Sequence, residues 1–386
     1  VTSTPGGSTE PPVGGASGYL DTASAEPLHP AARAALTAAL DRGYGDPRRL
    51  HRTARDARLL LDNARAVVAE CLGVRSDEVG FAASGSDAVH RGLLGLVSAR
   101  SGSGRSGIVH SAVEHSSVLH AVGWRDSPAH VSVPVDAAGR VAPEALSAAA
   151  RGEHVAAVAL QAANQEVGTV QPVDVVDLPA GVPLFVDAAA SLGRMPLPEQ
   201  WSALAGSAHK FGGPAGVGIL AVRRGTRWTN PFPGDDGLDN LGGNANVPAA
   251  LGAAAALQAV LAERDEVAAR QRALTERIRA VAAGLPDTEV VGDPDERLPH
   301  LVTFSCLYVA GDELVAALDR RGYGVASGSA CTASTLEPSH VLAAMGALTH
   351  GNVRVSLRRD SDDAEVDGFC AALVDAVTQI RGSIGA

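Results

Sequence analysis

The middle of the chain repeats one pattern, and that pattern leaves few folds open. Short apolar runs fall at 108–110, 131–135, 155–160, 184–186 and 217–222, with helical periodicity between several of them, notably at 86–98 and 142–150. Strand-like and helix-like segments in alternation imply a mainly parallel sheet covered on both faces. Ahead of it, Pro30 opens an alanine-rich helix through Leu40, proline being welcome in a first turn whose N–H groups have no helical partner. From Thr53 to Leu72 apolar residues recur at helical spacing, and Gly73 stops them. A long helical pattern then runs from about Val247 to Ala283. Beyond it the rhythm changes, with strands at 288–292, 300–307 and 352–357 and helices at 311–321, 338–345 and 361–380. These patterns predict an α/β chain in three parts. Residues 1–18 form a disordered arm, 19–250 a large domain on the mainly parallel sheet, and 251–386 a smaller α+β domain.

Composition narrows what such a chain can do. Its 386 residues are 46% apolar and 19% charged, enough for a substantial core and too apolar for wholesale disorder. A net charge of −11 argues against gripping nucleic acid or an anionic membrane over a wide face. No apolar run reaches the roughly 18–20 residues of a membrane span. The first 18 residues lack the charged and apolar regions of a signal peptide. Four cysteines, at 71, 306, 331 and 370, contain no Cys-x-x-Cys pair, so neither a disulfide framework nor a zinc knuckle is suggested. Reduced thiols in a cytoplasmic protein are expected. Cys71, Cys306 and Cys370 sit in apolar patterns and read as buried. Cys331 lies in a Gly/Ala/Ser/Thr stretch from Gly324 to Thr335 that predicts an exposed, mobile loop.

Lys210 is the only lysine in the chain; every other strongly basic residue is arginine. Lysine can lose its proton and form a Schiff base, whereas guanidinium stays protonated. Small residues, Gly212 through Gly218, follow it and leave room for a bulky cofactor. In open α/β sheets ligands sit at the carboxyl ends of strands, and three further candidates fall there. Asp187 ends the run Val182–Val186, His115 follows the strand at 108–110, and Ser84-Gly85-Ser86 precedes a helix whose first N–H groups suit a phosphate. Singly, each has a plainer reading as a cap, a satisfied polar residue or a turn. Together with one lysine they make the equipment for pyridoxal 5′-phosphate (PLP): an amine, a carboxylate for the pyridine nitrogen, a ring to stack and a phosphate cradle.

The chain resembles the cysteine desulfurases, PLP enzymes with the class V aminotransferase fold. The matching residues are Tyr19-Leu-Asp, Val113-Glu-His115-Ser-Ser-Val, Glu166-Val-Gly-Thr-Val-Gln-Pro172, Val186-Asp187-Ala and Ser207-Ala-His-Lys210. They continue with Ser327-Gly-Ser-Ala-Cys331-Thr, Leu336-Glu-Pro-Ser-His-Val-Leu342 and Val353-Arg354-Val-Ser-Leu357. Their order covers about 19 to 380, and the cysteine motif is similar to that of the subgroup with a long catalytic loop. The resemblance implies that Lys210 carries the cofactor and moves protons, Asp187 keeps its ring nitrogen protonated, and His115 stacks on the ring and takes part in proton transfer. Ser84, Gly85, Ser86, Ser207 and His209 would hold the phosphate. Arg354, with Asn164, would bind the substrate carboxylate; without the resemblance Arg354 reads as a surface ion pair. Cys331 would take sulfur from L-cysteine as a persulfide, release L-alanine and pass the sulfur to a protein acceptor. A homodimer is implied in the same way.

Four positions depart from that pattern. Ser86 stands for a threonine, Gln165 for an asparagine that Asn164 could replace, Ala190 for a glutamine, and Asn244 for a threonine that the partner subunit lends to the phosphate. They predict altered PLP affinity with the central chemistry intact. A second PLP chemistry (a C–S or selenocysteine lyase, or an aminotransferase) and a degenerate partner-binding protein are the alternatives. His110, Glu114, His115 and His120 fit no zinc-protease spacing. The glycine-rich stretches at 101–107 and 212–218 lack the context of a dinucleotide site.

Overall fold

The apolar runs of the middle segment become the strands of one sheet. The structure, a computed structural model, describes residues 18–125, 127–234, 237–238, 245–327 and 338–384. The first elements are α1 (Pro30–Leu40), α2 (Arg52–Leu72), β1 (Val79–Ala82), α3 (Gly85–Ser98), β2 (Gly107–Ser111) and α4 (Ser116–Trp124). Then come β3 (Val131–Val133), α5 (Pro143–Ala150), β4 (Val155–Gln161), β5 (Leu184–Asp187), β6 (Ala203–Ser207) and β7 (Gly218–Val222). The last are α6 (Val247–Gly284), β8 (Thr288–Val291), β9 (Leu301–Cys306), α7 (Gly311–Asp319), α8 (His340–Met345), β10 (Asn352–Ser356) and α9 (Asp363–Ile384).

The large sheet has the order β1-β7-β6-β5-β4-β2-β3. Strands β3, β2, β4, β5 and β6 pair in parallel. Only β7 runs against them, antiparallel to both β6 and β1. Burial explains the continuous apolar runs. All seven residues of β4 are buried, and alternate ones serve opposite faces: Val158 and Leu160 join one core cluster with α2 and the start of α6, Ala157 and Ala159 the other with α3 and α4.

Strand β6 was not expected from the sequence. Its residues Ala-Leu-Ala-Gly-Ser have little β propensity. They are small because neighbours press close: a Cβ on Gly206 would lie 2.5 Å from Leu192 Cδ2. Packing, not propensity, makes this strand. Helix α4 and strand β1 are likewise additions to the expected elements.

The second sheet is antiparallel, in the order β10-β9-β8. Position 250 falls four residues into α6, a single 38-residue helix. Its residues from Val247 to Leu257 pack in the core of the large sheet, while Leu274, Ile278 and Ala282 pack with β9, β10, α7 and α9. Leu20 also belongs to that second cluster, and Tyr19 and Asp21 make bridges to Gly324 and Ser356. Gly18, expected in the arm, is anchored instead: its N–H donates to Glu365 Oε1 at 2.7 Å. Its φ of +90° and the Gly322 carbonyl, 1.9 Å from where a Cβ would stand, require glycine there. Val325 and Ala326, expected in the mobile stretch, are instead buried, and Ala326 pairs with Arg354. Cys331 and Asn244 lie outside the described residues.

Candidate active site

Three parallel strands end at one cavity. Gln161, Asp187 and Ser207 are the last residues of β4, β5 and β6, and all three line a cavity of about 190 Å³ that is partly open to solvent. The first turn of α3, His115, His209 and Lys210 line it as well. The carboxyl edge of the sheet gathers the candidates read from sequence, as its geometry requires.

Glycine lets the helix start come close. A Cβ on Gly85 would sit 2.6 Å from Ser207 Cβ, so only glycine allows the N-terminus of α3 against the end of β6. Ser84 caps α3 by accepting from the Asp87 N–H at 3.0 Å, and Ser86 follows in the first turn. Ser207 Oγ and His209 Nδ1 are 3.1 Å apart beside it. Free first-turn N–H groups, a hydroxyl pair and an imidazole form a cradle for a phosphate.

Asp187 is 6% exposed, and its Oδ1 accepts from the Ala189 N–H at 2.9 Å. Burial pushes its carboxyl up to about 6, against that hydrogen bond and the charge of Lys210. Lys210 ends a short turn after β6 and donates through Nζ to the Ala23 carbonyl. His115 caps α4, and its Nδ1 accepts from the Ser117 N–H at 3.1 Å. A donor at Nδ1 leaves the hydrogen of the neutral ring on Nε2. Burial, then the charge of Lys210, pushes the ring down to about 4, so His115 is neutral at pH 7.

Behind this wall Glu114 is fully buried, with Oε1 accepting from Ser111 Oγ at 2.7 Å and the Gln161 N–H at 3.0 Å. Loss of water pushes its carboxyl up to about 8.

Two expectations change. Asn164 does not line the cavity. Its Oδ1 accepts from the Glu166 and Val167 N–H groups at 2.8 and 2.9 Å, and its Nδ2 donates to the Val113 carbonyl at 3.0 Å. The amide is spent on the turn, and Gln165 faces the cavity in its place. Arg354 is no surface ion pair; it is 4% exposed and also absent from the cavity wall. It donates through Nη2 to Asp21 Oδ1 at 2.9 Å and Ser24 Oγ at 2.8 Å, and through Nη1 to the Gln165 carbonyl at 3.1 Å. Ser86, Gln165 and Ala190, three of the departures from the family pattern, do line the cavity. Gln161, Arg194 and His300 line it too and were not singled out. Gln161 could have been found as the polar residue closing the run 155–160; Arg194 and His300 carried no signal of their own. Among the described residues no His/Cys/Asp/Glu cluster could hold a metal ion, and no helix is long and apolar enough to cross a membrane.

A helix start that only glycine admits, an acid held at a strand end and the chain's single lysine fit pyridoxal 5′-phosphate, and the class they define is that of the PLP-dependent enzymes. Residues 18–369 match the family described as Aminotransferase class-V, whose members use pyridoxal phosphate, and the chain belongs to that family, within it to the cysteine desulfurases. It is 38% identical to an IscS-like cysteine desulfurase of Mycobacterium tuberculosis, over 94% of this chain and 97% of the relative. It is 32% identical to the cysteine desulfurase IscS of Dictyoglomus turgidum, over 88% and 89%. A solved structure titled NifS-like protein superposes with a TM-score of 0.85 at 26% identity, covering 94% of this chain and 99% of that one.

Proposed function

We propose that this protein is a cysteine desulfurase that converts L-cysteine to L-alanine and leaves the sulfur as a persulfide on Cys331. The observation that carries the reading is the convergence of Lys210, Asp187 and His115 on one cavity in a chain so similar to desulfurases. PLP, when bound, supplies an electron sink for the pair released at the substrate's Cα. The first turn of α3 with Ser207 and His209 would hold its phosphate, Asp187 its ring nitrogen and Lys210 its reactive carbon. The Lys210 amine, freed by substrate, is the base that moves the Cα proton. His115, neutral and with its hydrogen on Nε2, offers a donor to the cavity without adding charge.

The sulfur step balances without an outside oxidant. The Cys331 thiolate attacks the substrate sulfur, the S–S bond forms as Cβ–S breaks, and the electron pair left on the carbon skeleton takes a proton. L-cysteine and the Cys331 thiol thus become L-alanine and the Cys331 persulfide. A free thiol near pKa ~8.5 is only a few per cent thiolate at neutral pH, so the closed site must stabilise the anion. A protein acceptor for the persulfide and a second copy of the chain belong to the same proposal, supported by the resemblance.

Incubation with L-cysteine, with and without a reducing thiol, reads the products directly. Equal alanine and sulfide under reduction, and neither from Cys331→Ala, is the expected result. A Cys331→Ala variant that keeps its activity would make the protein a C–S lyase instead.

A further inference from the structure

A second cavity adjoins the first, and Arg194 lines both. It holds about 30 Å³, room for one or two water-sized occupants, between α6 and the turns at 26–29, 193–194 and 211–212. His29 stands on its wall, 7% exposed, and caps α1 by accepting from the Ala31 N–H through Nδ1 at 3.0 Å. The hydrogen of the neutral ring is therefore on Nε2. That nitrogen is buried with no hydrogen-bond partner among the described residues, and Glu263 Oε1 stands 3.6 Å away, beyond hydrogen-bond reach. Burial, then the charge of Arg359, outweighs Glu263 and pushes the ring's pKa down, so His29 is neutral at pH 7. A buried N–H left unmet costs free energy unless an occupant of the cavity accepts from it.

The charge of the wall decides what that occupant is. Arg194, Arg264 and Arg359 line the cavity with a single acid, Glu26. Both Glu26 oxygens are engaged, Oε2 by Arg194 Nη2 at 2.7 Å and Oε1 by the Arg359 N–H at 3.4 Å. The acids that pair with the other two arginines, Glu263 and Asp265, are not part of the wall, and their side chains are 41% and 88% exposed. Solvent screens them more than it screens the wall. Arg194 has donors to spare, since its Nε and Nη1 have no partner among the described residues. Donors and positive charge converge on a space for one small ion, and a negatively charged acceptor satisfies both.

We propose that the second cavity is a site for one small monovalent anion of halide size, held by the His29 N–H and by Arg194. Arg194 also donates through Nη2 to the Lys210 carbonyl at 3.0 Å, so the ion sits one side chain away from the chain's single lysine. Bromide is the probe, used on the full chain loaded with PLP. Crystals grown in sodium bromide should show an anomalous peak in the second cavity. In solution, bromide should raise the unfolding temperature by about 1–3 °C over gluconate, which is too large to enter, at equal ionic strength. That gain should saturate as bromide is added. His29→Asn keeps an oxygen to cap α1 but withdraws the donor from the cavity, and should lose both the peak and most of the gain. Val267→Leu, which fills the space and leaves both donors in place, should lose them as well. No anomalous peak in the wild type, or a peak or gain that both variants keep, overturns the proposal and leaves water as the occupant.

Discussion

The two edges of the large sheet carry charge in opposite ways. At the carboxyl edge, Glu114, Asp187 and His115 are deprived of water, and their pKa values move to about 8, about 6 and about 4. At the amino edge, where β5 and β6 begin, Arg100, Arg105 and Arg227 line an open groove. Arg100 spends its guanidinium on the carbonyls of Leu96, Arg227 and Gly181. Arg105 and Arg227 make no ion pair among the described residues. Both edges hold ionisable side chains, but the carboxyl edge buries Glu114 and Asp187, whereas at the amino edge Arg100 is only half-buried, its pKa lowered by burial and by the nearby charges of Arg227 and Arg105. Reactivity in this molecule follows from desolvation at strand ends more than from residue type.

Substitutions at each edge can break that contrast. The largest effect belongs to Lys210→Ala, which should lower alanine formation by at least about 10³-fold, in the range of lost base catalysis. The same variant should lose the visible absorbance of lysine-bound PLP. A variant that stays yellow and active would end the assignment of the chain's single lysine.

Glu114→Gln should act on stability. The folded carboxyl titrates near 8 against a usual 4.5, so the folded state holds the proton more tightly across that interval. Its contribution is therefore complete below about pH 4.5 and is lost as pH rises through 8, by roughly 5 kcal/mol at most. Urea unfolding at pH 5 and pH 8.5 should show the wild type losing more stability than the glutamine variant. Equal losses would mean Glu114 is solvated. The smallest effect is expected at the other edge. Arg105→Ala combined with Arg227→Ala should change turnover by less than about twofold, as exposed substitutions remote from the site do. A larger change would show that the two edges are coupled.

Much of the fold and part of the site were legible because they depend on local order. The parallel strands could be read from continuous apolar runs, since a strand covered on both faces needs no polar alternation. Asp187 could be read because a carboxylate closing such a run must emerge at the strand tip. Lys210 was conspicuous because it has no companion. Strand β6 was not legible, since its small residues answer to Leu192 across the packing and not to any propensity of their own. Asn164 turns from the cavity while Gln165 lines it, because the direction of each side chain is set by the turn around them.

The sequence alone determined the layered α/β architecture, the lysine and the acid at the sheet's carboxyl edge, because periodicity and strand ends are properties of neighbouring residues. Only the tertiary structure decided that Arg354 is buried on Asp21, 333 residues away, and that His300 faces the cavity with no partner among the described residues. Burial and pairing at that separation arise when distant segments pack together, and no local pattern encodes them.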